Sequence, residues 1–184
     1  MPVLSVGRGA VGVGAAAVLA ATGTWVMWPG NVDTRLWGDV RPVIEARLVA
    51  EARGSGYGES EPALDARWFC RVEPLELVER GDVVRAGVKT LCMEYGMRDG
   101  TLVECGGAQD PQVVRLQRDD AAAGGFRVVS REEAPDGEGN AEWTDAHFGF
   151  LAESALHDPM SSGPLETAAR AHFGLPADAP LGVC

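Results

Sequence analysis

Two glutamates, Glu94 and Glu104, flank the Arg98-Asp99-Gly100 turn signal in a stretch whose residue types read as strand. Folding the chain at that turn brings them close together. A carboxylate pair of that kind is what general acid–base chemistry uses, and Glu94 and Glu104 are therefore the candidate catalytic residues. The competing reading is a tolerated pair of like charges on an exposed face, at a cost of a few tenths of a kcal/mol. Both carboxylates are then expected to be solvent-exposed and to line no deep pocket.

Other chemistry-bearing residues do not assemble. The three histidines, His147, His157 and His172, have no glutamate or cysteine at a metal-ligand spacing such as H-E-x-x-H. Asp136-Gly137-Glu138-Gly139-Asn140 opens like a calcium loop, but Ala141 stands where glycine is needed and His147 where a bidentate glutamate belongs. The stretch reads as an acidic turn and helix cap. Ser161 and Ser162 lack a G-x-S-x-G context and read as capping residues. Gly7, Gly9 and Gly12 match G-x-G-x-x-G, with Asp33 about twenty residues on, but the strand–helix repeats of a dinucleotide-binding unit do not follow. No nucleophile, base and orienter coincide, and no metal or cofactor is expected.

Four cysteines, Cys70, Cys92, Cys105 and Cys184, follow the first thirty residues, with no C-x-x-C among them. An even count suggests disulfides if the domain is exported. Cys70 and Cys92 are equidistant from Gly81 in the Arg80-Gly81-Asp82 turn. Opposed positions on antiparallel strands suit a disulfide, so a Cys70–Cys92 bond is expected. Cys105 competes for Cys92 across the next hairpin; otherwise Cys105 and Cys184 form a second pair.

Export is read from residues 9–28, twenty residues without a charge, preceded by Arg8 and containing Trp25 and Trp28 near their end. That length suits a bilayer-spanning helix and exceeds the usual signal-peptide core. The organisation expected is a cytoplasmic segment 1–8, an anchor (or signal peptide) at 9–28, a connector at 29–38 and an extracytoplasmic domain at 39–184. Secretion after cleavage is the alternative. Net charge is −11 and the first thirty residues hold only Arg8, so the remainder carries −12 (−11 minus +1). Such a chain repels nucleic acid and anionic lipid surfaces. Fifteen arginines beside the single Lys89, with one isoleucine, Ile44, suggest a GC-rich bacterial genome.

The elements that would position these residues follow from periodicity. Asp39 caps a helix over 40–53, with Pro42 in its first turn and Val40, Val43, Ile44 and Leu48 on one face. Strands are expected at 67–78, with Pro74 implying an edge or a bulge, at 83–95, 101–105, 113–116 and 126–129. Loops fill 54–62 and 106–111. A helix carrying Trp143, Ala146, Phe150 and Leu151, capped by Asn140, and a last helix opening at Gly163-Pro164 follow, then an irregular tail from Leu175. The expected fold is α+β: one helix, a four- to five-stranded antiparallel meander, and two C-terminal helices, with helices on one face of a curled sheet.

The strand run through Leu91-Cys92-Met93-Glu94-Tyr95 and the exit Glu133-Ala134-Pro135-Asp136-Gly137 into a helix resemble a group of uncharacterised bacterial envelope proteins. Their domain is similar to cystatin-like or nuclear-transport-factor-like rolls, and the resemblance covers residues 66–150. It implies a fold and an envelope address, and it brings no catalytic residues. The function expected is a membrane-anchored, extracytoplasmic domain that binds an envelope protein or a small ligand without catalysis. The alternative is a small hydrolase or isomerase using a carboxylate in the sheet cavity. Partners are the membrane, through the N-terminal helix, and the unidentified protein or ligand, with no nucleic acid.

Overall fold

The computed structural model describes residues 32–184. The apolar run 9–28 and the glycines at 7, 9 and 12 lie outside the described residues. Among those described, no helix is long and apolar enough to cross a membrane.

The first helix, α1, spans Thr34–Ala52 and begins earlier than expected. Its cap is Asp33, whose Oδ1 accepts from the Arg35 and Leu36 amides at 2.8 and 3.0 Å, and these two bonds hold the Asp33 carboxyl below the ordinary aspartate range. Pro42 consequently falls inside the helix and not in its first turn. The earlier start brings Trp37 onto the same buried stripe as Val40, Ile44 and Leu48, apolar burial that a helix beginning after Asp39 would forgo.

Four strands follow as a meander: β1 Arg67–Arg80, β2 Val83–Arg98, β3 Thr101–Arg118 and β4 Phe126–Glu133, in the order β1-β2-β3-β4 with each pair antiparallel. Residues 106–111, expected as a loop, continue β3 because β2 is long enough to pair with all of them. A further strand, β5 Leu181–Val183, lies parallel to β3 at Leu102 to Glu104, so the sheet is mixed. Three residues are too few to show a period of two, and the tail therefore reads as irregular.

Both tight hairpins are two-residue turns. Gly81 takes φ +59° in the first, and Asp99 and Gly100 take +50° and +76° in the second, the pair of left-handed residues that Asp-Gly supplies to a type I′ turn. Pro74 lies on the edge strand β1, and the register shifts at Leu75, between Pro74 and Glu76: the edge and the bulge occur together.

After β4 come three helices, α2 Gly139–His147, α3 Phe150–Leu156 and α4 Gly163–His172, where two were expected. Phe148 separates α2 from α3 and is buried against the sheet. A Cβ on Gly87 would come within 2.7 Å of its ring, so the glycine makes room for the aromatic. Phe150, expected on the apolar face, is 82% exposed.

The helices cover both faces of the sheet, a correction to the one-faced packing expected. On one face α1 packs with Val72, Val84, Ala86, Val88, Val114, Leu116 and Phe126. On the other, α4 packs with Leu91, Tyr95 and Leu102, and the α2–α3 segment with Leu75 and Val113. Burial along β2 is nearly continuous from Val84 to Gly96, the pattern of a strand covered on both sides.

Candidate functional site

Glu94 and Glu104 do not form a pair. The second hairpin is centred between Asp99 and Gly100, so Glu104 faces Tyr95, and a bulge at Cys105 places Glu94 opposite Gly106. A one-residue slip sends side chains to opposite faces of a sheet. Glu104 shares the Tyr95 face and is half-buried.

Glu94 is fully buried, against expectation, but it lines none of the cavities described below. Its Oε2 accepts from the Gly58 amide at 2.9 Å and its Oε1 from the Glu59 amide at 2.7 Å. These are the first amides of the short 3-10 turn Gly58–Ser60, donors that a helix start leaves free. Glu59 works the same way nearby, accepting from the amides of Gly54 and Gly56 and from the Trp68 indole. A Cβ at Gly56 would lie 2.1 Å from Glu94 Oε1. The glycine-rich loop 54–62 is thus moulded around two carboxylates, and Glu94 is a structural clamp. The 36-residue separation of Glu94 from Gly58 hides this from any local reading.

Tyr95, on the opposite face, is also fully buried, and among the described residues its hydroxyl has no partner at hydrogen-bond distance. Burial chiefly, with Glu166 and Glu104 nearby, pushes its phenol well above the ordinary range. It is a neutral core residue at physiological pH.

The histidines are scattered. His147 stacks on Trp143, with ring centroids 4.1 Å apart, and its Nδ1 lies 2.7 Å from the Trp143 carbonyl. His157 is exposed after α3, and His172 is exposed with its ring edge against Phe69. Among the described residues no three histidine, cysteine or carboxylate groups could hold a metal ion. Ser162 stands at the N-cap of α4, but its hydroxyl donates to Glu166 at 2.8 Å and caps no amide.

Two cysteine pairs are bonded: Cys70–Cys92 across β1 and β2, and Cys105–Cys184 between β3 and the residue after β5. The second fastens β5 to the sheet beside Leu64, Ala66 and Val103.

The most distinctive geometry lies around residues 106–111. β4 pairs with β3 only as far as Gln112, and β5 only at Leu102 to Glu104. Between them, among the described residues, the edge of β3 has no strand beside it, and Gly107, Ala108 and Gln109 are exposed. A cavity of about 240 Å³ adjoins this edge on the α1 face, walled by Glu51, Trp68, Asp110, Gln112, Arg131 and Glu133 among others. A second, of about 340 Å³, adjoins it on the other face, with Lys89, Asn140, Thr144, Asp145, Glu153 and His157 in its wall. Each wall contains a buried polar atom without a partner, Gln112 Oε1 in one and Thr144 Oγ1 in the other.

Sequence reasoning missed this region. Its one anomaly visible beforehand is Lys89, the sole lysine, in the middle of a strand. Lys89 is 5% exposed and donates to the carbonyls of Ala155 and Asp158, both at 2.9 Å. It closes the carbonyl end of α3, where a cation is favoured. In the α1-face cavity, Gln112 donates to Thr90 and to Glu133, and Arg131 bridges Glu51 at 2.8 Å and also contacts Glu133. Burial first, then Glu133 and Asp136, raise the Asp110 carboxyl above the ordinary aspartate range. The sign follows: the stability linked to Asp110 is present below its unfolded-state pKa and lost as pH rises through the folded one. Ionising this carboxyl is therefore a cost to the fold.

Set against family models, curated proteins and solved structures, the chain finds no match.

Proposed function

We propose that the chain is a membrane-tethered, extracytoplasmic domain that works by binding, with no turnover of its own. The observation that carries this reading is the fate of the two candidate carboxylates. They point to opposite faces, and Glu94 is consumed by the Gly58 and Glu59 amides. Two disulfides fit an oxidising compartment, in keeping with an anchor at residues 9–28 and with secretion as the alternative. The helix α1 laid across a four-stranded meander is in keeping with a cystatin-like or nuclear-transport-factor-like roll of an envelope protein. The net acidic charge disfavours nucleic acid as partner.

A second reading, a small hydrolase or isomerase, is favoured by Asp110, a carboxylate with a raised pKa at the wall of both cavities. The test is a panel of chromogenic ester, phosphoester and glycoside substrates, assayed with wild type and with Asp110→Asn. The binding reading expects no turnover above the variant's background. Turnover that Asp110→Asn abolishes while the fold is retained overturns it.

A further inference from the structure

The binding reading leaves open what is bound and where, and the inference drawn here rests on it. We infer that the open edge of β3 at residues 107–109 receives an extended peptide bearing lysine or arginine side chains, added to the sheet as a strand.

The Ala134 amide donates to the Pro111 carbonyl, so Pro111 presents its main-chain groups away from β2. In an antiparallel strand that direction alternates; Gln109 and Gly107 therefore turn their amides and carbonyls outward as well, and among the described residues no strand pairs with them there. The opening runs from the end of β5 to the end of β4, roughly 20 Å at the rise of a strand, room for about six added residues.

The other edges of this sheet are defended against strand addition in the usual ways. β1 carries Pro74 and a bulge, and β4 carries Arg127, Arg131, Glu132 and Glu133. Gly106, Gly107 and Ala108 carry no charge, no proline and no large side chain, and the Asp110-Pro111 pair stands only at the β4 end of the opening.

The cavities supply the second argument. Successive side chains of an added strand point to opposite faces, and here each face has a cavity beside the edge. Main-chain bonds to the edge and alternate side-chain pockets are the two components of peptide recognition by strand addition. The α1-face cavity holds three carboxylates, Glu51, Asp110 and Glu133; Arg131 pairs with Glu51 and Glu133 and Arg47 also pairs with Glu51, which leaves Asp110 outside these ion pairs. The opposite cavity holds Asp145 and Glu153, while its only lysine, Lys89, is taken up by carbonyls. Both cavities therefore favour cationic side chains.

The test uses a blocked five-residue peptide with two adjacent lysines, whose side chains point to opposite faces, flanked by valines, titrated into the oxidised protein and followed by amide chemical shifts. Two control peptides carry glutamate in place of lysine, or N-methyl groups at alternate residues. The expected result is a shift pattern centred on Gly107 and Gln109. Both controls should bind at least about tenfold more weakly, since methylation removes the main-chain bonds and glutamate reverses the charge. Gln109→Pro deletes an outward amide without touching the β2 ladder and should abolish binding. Gln109 also accepts from the Met160 amide, so Asp110→Asn provides an independent variant that should lower the lysine preference alone. Equal binding of either control, shifts centred elsewhere, or no shift at millimolar peptide would overturn the inference. If these fail while the substrate panel stays silent, only the peptide assignment falls; turnover lost in Asp110→Asn would remove the binding reading itself.

Discussion

Removing the Cys105–Cys184 bond, as the paired variant Cys105→Ser with Cys184→Ser, is expected to lower the unfolding free energy by about 4–5 kcal/mol. The two cysteines are 79 residues apart in sequence, and in the chain-entropy account a long closed loop restrains the unfolded chain more than a short one. The Cys70–Cys92 bond closes only 22 residues and is worth about 3 kcal/mol on the same reasoning. Urea midpoints of the two paired variants, measured side by side, check the order. β5 makes only three register pairs with β3, so without the bond this strand should exchange its amides rapidly. A loss under about 2 kcal/mol, or a larger loss from the shorter loop, would show that β5 is held by its packing instead.

Glu94→Ala is expected to cost about 3 kcal/mol and to lower the thermal midpoint by roughly 10 °C. The loss comes from the amides of Gly58 and Glu59, which would be left facing the gap of a deleted carboxylate. Hydrogen bonds to a charged acceptor are stronger than neutral ones, and an unmet buried donor bears the full desolvation penalty. Glu94→Gln keeps one acceptor and should lose about half as much. The site in loop 54–62 offers its own control: Gly56→Ala drives a methyl group into the same carboxylate and should destabilise without changing any charge. Calorimetric melts of the three variants settle the matter. A neutral Glu94→Ala would mean that the carboxylate is not a clamp, and Glu94 would return as a candidate for chemistry.

The two hairpins show what local reasoning can and cannot reach. Equal distance from Gly81 pairs Cys70 with Cys92, and proximity across the Asp99-Gly100 turn pairs Glu94 with Glu104; both turns are two-residue turns, centred half a step beyond Gly81 and half a step beyond the midpoint of the two glutamates. For Cys70 the error cancels: the bulge at Leu75 shifts the register back by one and places Cys70 opposite Cys92. For Glu94 and Glu104 no correction occurs before Tyr95, and the supposed pair falls on opposite faces. Turn residues announce a hairpin, but a bulge depends on packing across the sheet and leaves little trace in the sequence.

The stripe Val40, Ile44 and Leu48 was legible because it repeats at helical spacing. The two-sided cover of β2 was not: a strand buried on both faces loses its alternation and reads only as apolar. The open edge of β3 was still further from view. Gly106 to Pro111 has loop-forming residue types, and only the long β2 beside it makes it a strand. Whether such a strand has a free edge is decided by where β4 and β5 stop, residues that are distant in sequence.

The most direct measurement of the central claim is hydrogen exchange at Gly107 and Gln109, comparing the protein in the cell fraction that retains it, the envelope fraction on the proposed reading, with the purified protein. The outward amides of an empty edge exchange freely, and those of an occupied edge are protected. A binding domain that works through this edge should show protection at residues 107–109 in the envelope sample, lost on purification and restored by the lysine-bearing peptide. Rapid exchange at these residues in both samples, with protection appearing elsewhere or nowhere, would contradict the account.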